Sequence, residues 1–67
     1  MTQISLKDFH RLLASAVAKS INEDGCDLYL CVAREDASRW ALVSEAHGEI
    51  DTDADPVALL RRYLEKP

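Results

Sequence analysis

The segment Asp51-x-Asp53-x-Asp55 begins like a calcium-binding loop, with a carboxylate at every second residue. Such a loop needs glycine at its sixth position for a sharp turn and a bidentate glutamate at its twelfth. Pro56 and Arg62 stand at those places, which argues against a calcium site. The thiols and imidazoles offer no better metal centre. Cys26 and Cys31 are five residues apart, and His10 and His47 are distant from both, so no zinc-ligand spacing results. A catalytic thiol wants a nearby base and an electropositive setting. Cys26 instead has Asp24 and Asp27 beside it, and Cys31 falls in an apolar run where burial is expected. On a strand their odd separation sends the two side chains to opposite faces, so both read as reduced, structural thiols. His10 lies at the margin of an apolar helical arc, and His47, before Gly48, reads as a turn residue. Gly25 and Gly48 are the two glycines of the chain, too few for a phosphate-cradling loop. Paired carboxylates act as acid and base only inside a pocket that separates their pKa values, and a 67-residue chain has little room for one. The expectation is a protein without enzymatic activity, metal or cofactor.

Charge is the remaining signal. The formal net charge is −4 and the pI about 4.9. Glu49, Asp51, Asp53 and Asp55 alternate along EIDTDADP, and no Lys or Arg lies between Trp40 and Val57. In extended backbone, side chains two apart share a face, so these four are expected to form a one-sided anionic line roughly 20 Å long. Asp55 has a structural use as a helix cap; the three acids before it have none. With Glu45 and the Glu23, Asp24 and Asp27 cluster, they form the expected partner-binding surface. From residue 23 onward the chain holds eleven acidic and five basic residues, a balance that repels nucleic acid. The expected partner is therefore a protein with a basic surface, most concretely a nucleic-acid-handling protein or complex whose Lys/Arg channel the acids would occupy by mimicry. Small acidic inhibitors carried by phages and other mobile elements, anti-CRISPR proteins among them, offer an analogy of size and charge, with no motif behind it. The plain alternative is an acidic loop that only aids solubility.

These residues must be positioned by few elements. Ser5 followed by Asp8 marks a helix start, and Leu6, Phe9, Leu12, Leu13, Ala16, Val17 and Ile21 fall on one arc, with Lys7, Asp8, Arg11, Ser15, Lys19 and Asn22 opposite. The spacing predicts a helix from about Leu6 to Asn22. DLYLCVAR and RWALVSEA, joined through Glu35-Asp36-Ala37-Ser38, predict an antiparallel hairpin. A turn at His47-Gly48 would allow a short third edge strand over Glu49–Thr52. Asp55-Pro56 opens a second helix with Val57, Leu59, Leu60, Tyr63 and Leu64 on its apolar face. Residues 1–67 thus read as a single small two-layer α+β domain, near the lower size limit for unaided folding. The two helices can cover one sheet face. Tyr29, Cys31 and Trp40 are expected on the other, where they would support an alternative role as a homodimeric structural or assembly protein. With no run of eighteen apolar residues and no secretory layout at the N-terminus, no membrane association and a cytoplasmic location are expected.

Overall fold

A computed structural model describes residues 3–67. Helix α1 (Leu6–Asp24) starts where the Ser5 hydroxyl accepts the Asp8 N–H at 3.1 Å. It runs two residues past the expected Asn22, because Glu23 and Asp24 tolerate helical backbone. Only Gly25 supplies the left-handed residue that ends it, with φ 68° and an N–H bonded to the Ile21 carbonyl at 3.0 Å.

Strands β1 (Leu28–Val32), β2 (Trp40–Ser44) and β3 (Gly48–Asp53) form an antiparallel meander in that order. The third strand is a full member of the sheet, six residues long. In the β1–β2 connection the Asp36 carboxylate accepts the Ser38 N–H at 2.9 Å and its hydroxyl at 2.6 Å, the side-chain turn that Asp favours. Between β2 and β3 the Ser44 hydroxyl accepts the N–H groups of Ala46 and His47, both at 3.2 Å. Gly48, at φ 77°, closes that loop.

Helix α2 (Pro56–Glu65) begins at Asp55, whose carboxylate accepts the Val57 N–H at 3.0 Å. Both helices lie on one face of the sheet, α1 packing on β1 and α2, and α2 on β2 and β3. The core joins Ala16, Leu28, Leu42, Leu59, Leu60 and Tyr63. The wholly buried residues of α1 are small, Ala16 and Ser20, which lets the helix approach the sheet closely. The Ser20 hydroxyl donates to the Cys26 carbonyl at 2.8 Å, so its burial leaves nothing unpaired.

Lys19 departs from its expected place on the solvent arc. Its stem lies against α2, its ammonium donates to the carbonyls of Tyr63 at 2.8 Å and Lys66 at 2.5 Å, and it sits 5.1 Å from the Tyr63 ring centroid. One cation thereby caps the C-terminal carbonyls of α2 and ties the helices together. Among the described residues no helix is long and apolar enough to cross a membrane.

Candidate functional site

The acidic row is shaped by a β-bulge. Val43 opposes Glu49, yet Leu42 opposes Asp51, so Ile50 is an extra residue and both Ile50 and Asp51 face Leu42. The cause lies in the core: Ile50 packs against it from the helix-covered side, and the bulge places the next residue on that same side. Strict alternation is broken there. Glu49 points to the open face with Val43, whereas Asp51 and Asp53, paired with Leu42 and Trp40, point to the helix side.

Arg62 of α2 meets them. Its Nε donates to Asp51 Oδ2 at 2.9 Å and its Nη1 to Asp53 Oδ2 at 2.8 Å, while Nη2 reaches the Thr52 carbonyl at 3.3 Å. The guanidinium holds the Asp51 carboxyl below its ordinary range. For Asp53 the first cause of the same shift is the Asp55 N–H, donated at 2.8 Å, followed by Arg62. The two acids in turn raise Arg62 further above its ordinary value. Hence the expected one-sided line without a neutralising cation is corrected on both counts: Glu49 stands on another face, and Asp51 and Asp53 are clasped from within the molecule. Asp55 caps α2 as expected.

The open face of the sheet gathers other acids. Across it lie Tyr29, Val43 and Glu49, each opposite the next, and beside them Asp27 and Glu45, joined by a backbone bond of 3.0 Å from the Glu45 N–H. Tyr29 is 49% exposed although its ring is large and apolar. Its phenol is pushed above the ordinary value of 10, first by the charge of Asp27, then by partial desolvation and by Glu45. Asp27, Glu45 and Glu49 are exposed, and among the described residues no cation pairs with them. Glu23 and Asp24 lie on the last turn of α1, close in sequence to Asp27 and also exposed. Further along the open face, Arg34 and Glu35 flank a shallow depression floored by Cys31, Ala41 and Val43, and Arg39 donates to the Thr52 hydroxyl at 3.3 Å.

Of the three residues expected on this face, Tyr29 and Cys31 are there. Trp40 is not: it opposes Val32 on the helix side and packs against the core beside Phe9, Leu30 and Val57. Its register partner already carried that information, since Leu28, Leu30 and Val32 alternate onto the covered side. The thiols also separate. Cys26 is buried within reach of Ser20 and Ser44, with Sγ 3.6 Å from the Ser44 hydroxyl, whereas Cys31 is exposed rather than buried. His10 and His47 are both exposed and far apart in the fold's connectivity, one on α1 and one in the β2–β3 turn. Sequence reasoning missed Arg62. The available signal was Ile50, a lone apolar residue in an acidic strand, which had to enter the core and thereby turned its neighbour toward α2. No known family, curated protein or solved structure matches the chain.

Proposed function

We propose that this protein is a non-enzymatic interaction module that docks the open face of its sheet on a basic surface of another protein and so inhibits or regulates it. The observation that carries this reading is Tyr29, a half-exposed aromatic ring on the β1 side of an uncovered face, with Asp27 and Glu45 beside it and Glu49 across Val43 on β3. An aromatic anchor with a charged rim is the composition of a binding patch, the ring supplying contact area and the acids selecting a cationic partner. Asp51 and Asp53 take a smaller part than their spacing suggests, because Arg62 offsets their charge. A nucleic-acid-handling protein, with its Lys/Arg channel, remains the most concrete partner; the anionic group presented to it is the Asp27–Glu45–Glu49 triangle rather than a straight row.

Affinity capture of partners at low and high salt tests this, comparing the native chain with Tyr29→Ala, the double reversal Glu45→Lys/Glu49→Lys, and Glu65→Lys as a remote control. Capture should fall with salt and with the open-face changes while surviving Glu65→Lys. Partners that lack a basic surface, or that remain bound to both open-face variants, would refute the reading.

A further inference from the structure

The two edges of the sheet are unlike. The β3 edge carries a bulge, three acids and the Arg62 clasp, devices that keep other strands away. The β1 edge has none of these: between Asp27 and Arg34 it reads Leu-Tyr-Leu-Cys-Val-Ala, with no charge and no proline, and among the described residues no strand pairs with its outer side. The ladder to β2 fixes which groups are free. Ala33 N–H bonds Arg39 and Glu45 N–H bonds Asp27, so residues 27, 29, 31 and 33 turn their main-chain groups inward. Leu28, Leu30 and Val32 must point theirs outward, unpaired.

Helix α1 roofs this edge. Lys19 marks the flank that meets α2. At about 100° per residue, Leu13, Val17 and Ile21 lie roughly 120° to 200° around the helix from it, on the flank that overhangs β1. Ile21 is 49% exposed, Leu13 and Val17 are half-buried, and Val32 below is 53% exposed. Free main-chain donors beneath an apolar overhang are the two halves of a strand-binding groove.

We propose that the β1 edge receives an extended peptide segment of a partner protein as a fourth strand, antiparallel to β1, with alternate apolar side chains tucked under α1. Charge sets what the segment carries at its two ends. Asp27, with Glu23 and Asp24, lies at the Leu28 end, and Arg34, with Glu35 next to it, at the Val32 end. The segment therefore carries an acidic residue at its N-terminal end, opposite Arg34, and a basic residue at its C-terminal end. A second copy of this chain does not fit. Paired strands stand about 4.8 Å apart, whereas packed helices need 8–10 Å, so two edge-to-edge copies would drive their α1 helices into one another. The inference shares with the proposed function the premise of a protein partner and the residue Asp27; it uses the edge of β1 rather than the open face, and its main readout, exchange at three β1 amides, does not depend on Glu45 or Glu49.

The test uses the full chain and a capped synthetic peptide, Glu-Val-Thr-Val-Thr-Val-Lys, followed by amide hydrogen exchange. The expected result is slowed exchange at Leu28, Leu30 and Val32, with Tyr29 and Cys31 unchanged because they are already bonded to β2. Methylating alternate peptide nitrogens should weaken binding at least tenfold, since those N–H groups supply the ladder. Exchanging the terminal Glu and Lys should weaken it roughly threefold, the scale of two exposed charge contacts. Ile21→Lys, at an exposed position that leaves the core intact, should also weaken it, with an unchanged melting curve confirming the fold. Unaltered exchange at millimolar peptide would overturn the proposal. So would protection of the three amides without peptide, accompanied by a two-chain sedimentation mass, which would mean that a second copy covers the edge.

Discussion

Arg62 decides how the acidic stretch behaves. Its two short bonds make Asp51 and Asp53 part of the α2–β3 contact, and the sign of the linkage follows from their depressed carboxyls. The stabilisation is present above the ordinary carboxylate value of 3.8 and is lost as pH falls through the lower folded values. Arg62→Met should therefore melt a few degrees lower than the native chain at pH 7, as expected for a partly exposed two-armed pair in a domain this small. The two melting curves should converge near pH 2; an equal gap at both pH values would show that the loss is one of packing. Ser20 makes a second residue-scale case. It is fully buried and donates to the Cys26 carbonyl, so Ser20→Ala should cost about 1 kcal/mol in urea unfolding by leaving that carbonyl without its partner.

At the scale of elements, punctuation was the most legible part of the chain. Ser5 and Asp55-Pro56 start the two helices where the sequence placed those starts, whereas Gly25 ends α1 two residues beyond the expected Asn22. Gly25 is instructive because a methyl group there would meet nothing within 4 Å. The cost of Gly25→Ala thus comes from its left-handed backbone, not from crowding, and should be about 1 kcal/mol in denaturant unfolding. Strand faces were legible where alternation held, as for Leu28, Tyr29 and Leu30. They were misread where tertiary packing intervened: the bulge at Ile50 inverted the expectation for Asp51 and Asp53, and the register at Val32 put Trp40 under the helices. Lys19 was misplaced for a related reason, since a long stem can carry its charge from a half-buried position to a neighbour's carbonyls. Contacts between residues distant in sequence leave no periodic trace.

The molecule as a whole is a slab of about 30 × 28 × 18 Å with two unlike faces. One is closed by helices; the other leaves Tyr29 exposed beside Asp27 and Glu45, with Glu49 across Val43, while the acids of residues 51–55 are occupied internally. The reading as an anionic docking module requires that the first group, and not the second, be available to cations. Titration of the uniformly labelled chain with an arginine-rich peptide, followed through its backbone amide spectrum at low salt, tests that division. Shifts should concentrate at Asp27, Tyr29, Val43, Glu45 and Glu49 and collapse on adding salt, with the 51–53 amides joining only in Arg62→Met. Shifts confined to residues 51–55 in the native chain would contradict the account.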